Sequence, residues 1–224
     1  MGYIQGCRRR KRANTRTCKD RRGLESKCGY EKIVFFLSCF LFISCTGEQK
    51  KTVDPSLLEG IRSGDIICRL GNGFFSNQFK EYSLTEKLYS HAGIVEQSGD
   101  SLFVIHAEAS ELTGIGHVKR ESIQVFLDGI RTWGVYRISA DDSVRNDIAV
   151  FAKEYFLKKT PFDMDFDAGN DSKVYCTELV ALAVNRAVND SLVKPAIQFG
   201  HRKIYGIDNV YLLPDITVIK KVTK

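Results

Sequence analysis

Two residues far apart in this 224-residue chain have the side chains and the local settings of a nucleophile and its base. Cys176 lies in VYCTELV, which is typical of the first turn of a helix, and His91 lies in YSHAGIV, which is typical of the start of a strand. The dipole and free N–H groups of a helix N-terminus stabilise a thiolate. An imidazole on a neighbouring strand can take the thiol proton and return it to a leaving group. The pair predicts attack by sulfur on a carbonyl carbon.

A second histidine, His106, follows in the next apolar run. The Ser-Gly-Asp turn at 98–100 between the two runs predicts a hairpin. Counting back from that turn, both histidines lie at the far end of the hairpin, so we expect their rings to be cross-strand neighbours. A second imidazole there can hydrogen-bond the first and hold its tautomer, as the third member of a triad does. Glu108, two residues beyond His106 on the same strand face, is the alternative third residue.

The elements that must position these residues follow from hydrophobic periodicity and turn residues. Strands are predicted at 65–70, 92–96, 102–107, 134–138 and 216–222, with a further strand opening near 117. Two helices are predicted to begin near 142 and near 171, and the second of them carries Cys176. The sum is an α+β domain with an antiparallel, barrel-like sheet packed against helices.

The order and the sequences of these segments resemble those of the permuted papain-like YiiX/YaeF family. That family is similar to NlpC-type cell-wall peptidases and lecithin:retinol-acyltransferase-like enzymes. The resemblance covers residues 57–215 and is carried by GDII at 64–67, SHAGIV at 90–95, VIHA at 104–107, VYR at 135–137, PFDMDF at 161–166 and YCTEL at 175–179. Papain-like enzymes usually place the cysteine before the histidine, and circular permutation accounts for the reversed order here. The resemblance implies Cys176 as nucleophile, His91 as base and His106 at the third catalytic position, where relatives can carry glutamate.

A reaction mechanism and candidate substrate contacts follow from the residue types. The backbone N–H of Cys176 is a natural donor to an oxyanion formed at the helix N-terminus. Tyr175 is a candidate second donor, with packing as its alternative role. The aromatic residues that follow the Gly-Asn-Gly loop are candidates to line a hydrophobic substrate cleft, although core packing explains them equally well: Phe74, Phe75, Phe79 and Tyr82.

No cofactor and no metal site is predicted. The aspartates at 163, 165, 167 and 171 suggest a calcium loop, but Ala168 stands at its sixth position and Val174 at its twelfth. An EF-hand loop needs a glycine and a bidentate glutamate at those positions. Zinc-site spacing is also absent, because the sequence has no CxxC motif. Cys68 is expected as a small buried residue, with a disulfide to Cys176 as the alternative.

The N-terminal region reads as a targeting segment. Residues 1–32 hold eleven Lys and Arg against three Asp and Glu, whereas the rest of the chain holds 22 basic and 24 acidic residues. The basic charge therefore belongs to the N-terminus, and a nucleic-acid-binding domain is not indicated. The apolar run 33–44 is too short to span a membrane and suits a signal peptide. It ends at Cys45, which resembles the acylated cysteine of a bacterial lipoprotein; a plain secretory signal or an uncleaved anchor is the alternative.

These observations divide the chain into a basic region with a lipoprotein-type signal segment at 1–45, a tether at 46–56 and a hydrolase domain at 57–224. We expect a cysteine hydrolase attached to the bacterial cell envelope through a lipid anchor, on the periplasmic side or the cell surface. Its expected substrate contains an amide bond, with peptidoglycan stem peptides as the first choice. One alternative is an acyl-hydrolase or acyltransferase acting on lipid-linked amides or esters. The other is a binding lipoprotein that has kept the fold without catalysis.

Overall fold

The computed structural model describes residues 53–169 and 172–223, so the predicted signal segment and most of the predicted tether lie outside the described residues. Short 3-10 helices occur at Pro55–Leu58 and Asp208–Val210. The strands and α-helices of the described ranges are β1 (Ile66–Arg69), α1 (Phe74–Lys80), β2 (His91–Ser98), β3 (Ser101–Ala109), β4 (Gly116–Ser122), α2 (Ile123–Phe126), β5 (Trp133–Arg137), α3 (Asp142–Leu157), α4 (Cys176–Val188), β6 (Ile197–Phe199), β7 (Arg202–Ile204) and β8 (Thr217–Val222).

Six strands form one antiparallel sheet in the order β4-β3-β2-β1-β5-β8. The predicted α+β class, with an antiparallel sheet packed against helices, is confirmed. The sheet is open, however, and does not close into a barrel. The segment that follows α3 occupies the outer edge of β4, where Val118 N–H donates to Thr160 and Phe162 N–H donates to Gly116. The edge that closure would use is therefore already hydrogen-bonded.

The two faces of the sheet are buried by different parts of the chain. On one face α3 and α4 cover a core that includes Ile66 and Cys68 of β1. On the other face α2 and the residues before β1 cover a second core that includes Ile67. Because side chains alternate along a strand, Arg69 lies on this second face.

Helix α4 begins at Cys176, five residues later than the predicted start near 171. The preceding segment is held in an extended pairing, because Val174 N–H donates to the Pro161 carbonyl and the Val174 carbonyl accepts from Asp163. Glu178, in the first turn, accepts the Tyr175 N–H at 3.3 Å and caps the helix. The late start places Cys176 itself at the first helical position.

The first described residue, Val53, is hydrogen-bonded to helix α2. The Val53 N–H donates to Gln124 Oε1 at 2.7 Å, and the Val53 carbonyl accepts from Gln124 Nε2 at 3.2 Å. The end of the predicted tether is thus fastened to α2. Among the described residues, no helix has the length and apolar composition needed to cross a membrane.

Candidate active site

A cavity of about 400 Å³ lies where β1 ends, β2 begins and α4 begins. Cys176 and His91 both line it, together with Arg69 and Glu108. Its walls are otherwise largely apolar and include Phe79, Tyr82, Phe162, Met164, Phe166 and Ile204. The aromatic residues Phe79 and Tyr82, expected from the sequence to line a cleft, lie at this cavity.

Cys176 has the surroundings of a nucleophile but is a neutral thiol at rest. Burial raises the pKa of Cys176 to about 11, although the backbone N–H groups of Ala92, Thr177 and Cys176 itself and the charge of Arg69 act to lower it. Burial therefore outweighs the helix N-terminus, contrary to the thiolate expected from the sequence. The same N–H groups become useful when negative charge develops on the sulfur.

His91 is a neutral imidazole at physiological pH. Burial lowers its pKa well below 6.5, and the positive charges of Arg69 and Lys119 act in the same direction. Its neighbour along β2 is Ala92, whose N–H faces the Cys176 sulfur. A neutral imidazole beside a neutral thiol can accept the proton during the attack itself.

His106 is in contact with His91, as the hairpin geometry predicts. Nε2 of His91 lies 2.8 Å from Nδ1 of His106, and the two rings are nearly perpendicular. His106 is fully buried, and the Phe126 ring packs 5.1 Å from it. Gly93, opposite His106 on β2, leaves room for the imidazole, since a Cβ there would come 3.0 Å from the His106 Cβ.

Glu108, the alternative third residue, faces two cations instead. Its carboxylate oxygens lie 2.9 Å from Arg69 and 2.9 Å from Lys119. Burial acts to raise the pKa of Glu108, but the hydrogen bond from Lys119 and the neighbouring positive charges more than offset it, so the pKa is lowered. One atom each of Glu108, His91 and His106 nevertheless lie within 4.8 Å of one another. Of the two candidates for the third position, only His106 bonds His91.

Sequence reasoning missed Arg69. Its guanidinium lies 4.2 Å from the centre of the Phe126 ring and donates to the Phe126 carbonyl and to Glu108. The signal was available in the strand pairing, because Arg69 is the β1 residue directly opposite His91. Its positive charge acts on both Cys176 and His91.

Glu121 of β4 was also missed. Its Oε1 lies 3.2 Å from Nε2 of His106, an ion-pair distance, although the contact lacks the alignment of a straight hydrogen bond. The residue directly opposite His106 on β4 is Lys119, and Glu121 stands two positions further on the same face. Pairing the predicted strand near 117 with the histidine hairpin could have found it.

The comparisons with known proteins agree with this geometry. Residues 60–204 match the family described as "Permuted papain-like amidase enzyme, YaeF/YiiX, C92 family". The chain belongs to this family. The crystal structure of the metalloprotein YiiX from Escherichia coli O157:H7 matches with a TM-score of 0.59 and 17% identity, covering 73% of this chain and 98% of that one. At this identity the likeness shows the fold alone. No curated protein matches the chain.

Membership of the C92 family implies an amidase or peptidase of the cysteine type. It also accounts for the chain order of the site, in which the strand carrying His91 precedes the helix carrying Cys176. The roles of individual residues remain predictions.

The remaining predicted site residues are placed as follows. Tyr175 lines the cavity, and its hydroxyl accepts the Tyr205 N–H at 2.8 Å, which ties the start of α4 to the segment after β7. Helix α1 carries Phe74 and Phe75, but their side chains lie outside what the structure describes, as does Cys45. Their substrate-binding and lipidation roles stay predictions. The alternative disulfide is not formed, since Cys68 and Cys176 are both free thiols.

Proposed function

We propose that this chain hydrolyses an amide or ester bond with Cys176 as the nucleophile and His91 as the general base. The observation that carries the proposal is the position of Cys176 at the start of α4, in the wall of the cavity that His91 also lines. The N–H of Ala92, next to His91, faces the sulfur and links the two residues locally.

The reaction begins from the neutral pair. As the Cys176 sulfur attacks the carbonyl carbon, His91 takes the thiol proton, and the oxyanion accepts from backbone N–H groups at the start of α4. His91⁺ then gives this proton to the leaving amine or alcohol as its bond to the carbonyl carbon breaks, which leaves an acyl thioester on Cys176. Water, deprotonated by His91, attacks the thioester carbonyl and the C–S bond breaks. The acid leaves, and the Cys176 sulfur takes the proton back from His91⁺.

The proposed substrate carries an apolar acyl group. The walls of the cavity are mainly aromatic and aliphatic, and the ring centres of Phe79 and Phe166 lie 4.9 Å apart within them. Arg69 and Glu108, which also line the cavity, are already paired with each other. Apolar surface of this kind favours a hydrocarbon chain over a charged peptide. A lipid-linked amide or ester is therefore the substrate class that the geometry supports best.

A peptidoglycan stem peptide is the second candidate. Charged side chains also border the cavity, namely Glu111, Asp165 and Arg202. Arg202 and Asp165 lie 3.9 Å apart and are both substantially exposed. Such a rim can bind the amino and carboxylate groups of a short peptide.

The cluster of His91, His106 and Glu108 does not fit a resident metal ion, although the E. coli relative is titled a metalloprotein. The carboxylate of Glu108 already pairs with Arg69 and Lys119, and these two cations would repel a bound metal ion. The two imidazole nitrogens that face each other share one hydrogen bond at 2.8 Å. No step of the proposed reaction therefore uses a metal ion.

Acylation by p-nitrophenyl octanoate tests the chemistry. Intact mass spectrometry should show one octanoyl group on the wild-type chain and none on Cys176→Ala. His91→Ala should acylate more slowly by roughly 10² to 10⁴, the usual contribution of a general base. Cys68→Ala is the matched control and should acylate like the wild type. Equal acylation of Cys176→Ala, or an unchanged rate in His91→Ala, would exclude this mechanism and favour a binding protein that has kept the fold.

The substrate class is tested by competition between bond types. N-acyl amino acids and N-acyl phospholipids in one set of reactions, and purified peptidoglycan fragments in another, are incubated with the whole chain. Products are identified by mass spectrometry, with Cys176→Ala as the blank. Release of fatty acid from the lipids supports the apolar acyl substrate, whereas cleavage of the stem peptides supports the second candidate.

We further propose that Cys45 is lipidated and holds the enzyme at the bacterial envelope. The support is the sequence pattern of an apolar run ending in a cysteine and a polar tether. Growth of an expressing bacterium with an alkyne-labelled fatty acid should label the wild-type chain but not Cys45→Ser. Label retained in Cys45→Ser would contradict lipidation at this residue.

A further inference from the structure

We propose that Glu121 is a positioning residue that holds both imidazoles in the tautomers required for His91 to act on Cys176. The inference rests on the proposed function and extends it to a residue of β4. It follows from the two contacts that connect Glu121 to His106 and His106 to His91, and from the number of protons that these contacts can share.

The first step is the environment of His106. Both of its ring nitrogens face a hydrogen-bonding group, because Nδ1 lies 2.8 Å from His91 Nε2 and Nε2 lies 3.2 Å from Glu121 Oε1. The residue is fully buried, and Nε2 has no closer partner among the described residues. Glu121 therefore determines whether Nε2 of His106 carries the proton.

The second step is the state of Glu121. Contact with His106 is the largest cause that lowers the pKa of Glu121, while partial burial acts against it. The carboxylate is ionised at neutral pH and can only accept hydrogen bonds. An unprotonated Nε2 on His106 would place two acceptors 3.2 Å apart, so the proton of the neutral ring belongs on Nε2.

The tautomer of His106 in turn fixes the tautomer of His91. With its proton on Nε2, His106 offers a lone pair at Nδ1 and must accept from Nε2–H of His91. A neutral imidazole has one N–H, so Nδ1 of His91 is left unprotonated and is the nitrogen available as the base. When that nitrogen takes the thiol proton, the S–H bond breaks and an N–H bond forms. The new positive charge on His91 is stabilised by its hydrogen bond to His106, whose Nε2 lies beside the Glu121 carboxylate.

The neighbouring carboxylate cannot play this part. Glu108 is two residues from His106 on the same strand, but its oxygens bind Arg69 and Lys119. Arg69 of β1 and Cys176 of α4 also line the cavity beside His91. Glu108→Gln is therefore a matched control for substitutions of Glu121, since it changes a carboxylate beside the same rings without touching Nε2 of His106.

Nitrogen-15 NMR of the histidine rings tests the proposal directly. In the purified whole chain at neutral pH, long-range proton–nitrogen spectra should show His91 and His106 with the proton on Nε2. Glu121→Leu should give His106 a mixture of tautomers or the Nδ1–H form. Glu121→Gln should restore the wild-type form, because the amide oxygen offers an acceptor where the carboxylate oxygen stood, and Glu108→Gln should leave the tautomers unchanged.

Kinetics give a second readout. In octanoyl ester hydrolysis, Glu121→Leu should lower kcat about tenfold or more with little change in KM, since a wrong tautomer impairs the base and not binding. Wild-type tautomers in Glu121→Leu, or an Nδ1–H form of His106 in the wild type, would overturn the proposal. If Cys176 never becomes acylated, the proposed function fails, but the NMR result still decides the role of Glu121.

Discussion

The two cysteines of the described domain, Cys68 and Cys176, are alike in burial and different in surroundings. Both are free thiols, and burial raises the pKa of each. Cys68 is fully buried in the middle of the sheet, on the β1 position paired with Ala92. Cys176 is 6% exposed, stands at the first position of α4 and lines the cavity.

The difference shows that burial alone does not distinguish the proposed nucleophile from the other cysteine. The raised pKa is shared, so it cannot identify the nucleophile. What distinguishes Cys176 is the set of backbone N–H groups that face its sulfur, the neighbouring imidazole and the cavity through which a substrate can arrive. Cys68 packs among core side chains as a small apolar residue.

The largest expected effect separates the two cysteines by activity. Cys176→Ala should reduce hydrolysis of the acyl substrate by roughly 10³-fold or more, the scale expected when a nucleophile is lost. Cys68→Ala should keep the wild-type kcat and lose about 1 kcal/mol of stability, as a small change in a packed core does. Steady-state kinetics and urea unfolding measure the two quantities. A comparable loss of kcat in both variants would break the comparison.

The next effect concerns thiol reactivity as a function of pH. Because Cys176 rests as a neutral thiol, its alkylation by iodoacetamide should rise steadily with pH toward an apparent pKa of about 11. Cys68 should stay unlabelled in the folded chain at every pH tested. Peptide mass spectrometry of quenched samples gives both rates. A plateau for Cys176 across pH 5 to 9 would instead indicate a thiolate–imidazolium pair, and the resting state assigned here would be wrong.

A smaller effect is expected at Arg69, whose charge acts on Cys176 but is not among the groups that shift the pKa of Cys68. Arg69→Met should raise the pKa of Cys176 further and also raise that of His91. The alkylation rate near pH 9 should fall by less than about tenfold, since one pKa unit is a tenfold change in thiolate fraction. Arg137→Met, which removes a guanidinium bound to Asp65 and leaves this site intact, is the control. An equal decrease in both variants would indicate loss of folding rather than of local charge.

The smallest expected effect is on stability at the extremes of pH. Both cysteines have a folded pKa above the ordinary value of 9.0, so the unfolded chain releases their protons first and stability falls as the pH rises above about 9. His91 has a folded pKa below 6.5, so stability also falls as the pH drops below 6.5. Thermal unfolding followed by circular dichroism should show less alkaline loss in Cys68→Ala and in Cys176→Ala than in wild type. An unchanged alkaline slope in Cys68→Ala would argue against its buried neutral state.

The local features of this protein were largely readable from its sequence. Alternation and turn residues predicted the hairpin that joins His91 to His106. The helix that carries Cys176 was also predicted, but with a start near residue 171 and not at Cys176 itself. The start moved to Cys176 because the residues before it pair with the 161–163 segment, and such pairing joins parts of the chain that no local window compares. The same limit explains why the sheet was expected to resemble a barrel.

The charged residues around the imidazoles were the least predictable part of the site. Glu108 and Glu121 are both glutamates on strands beside His106, and residue type alone cannot separate them. Their roles depend on register: Glu108 faces Arg69 and Lys119, whereas Glu121 lies diagonally across from His106. Register between strands follows from long-range packing and turn geometry. The metal-like cluster of two histidines and a carboxylate is likewise understood only once those cations are seen.

By itself the sequence determined the chemical types and their order: a cysteine at a helix start, a histidine at a strand start before it, and a second histidine across a hairpin. These follow from local periodicity, capping and turn chemistry, which act over a few residues. Only the tertiary structure decided that burial raises the pKa of Cys176, that Cys176 lines a cavity while Cys68 is fully buried, and that Glu121, not Glu108, contacts Nε2 of His106. Burial and charge–charge contacts set protonation states, and both depend on which distant segments the fold brings together.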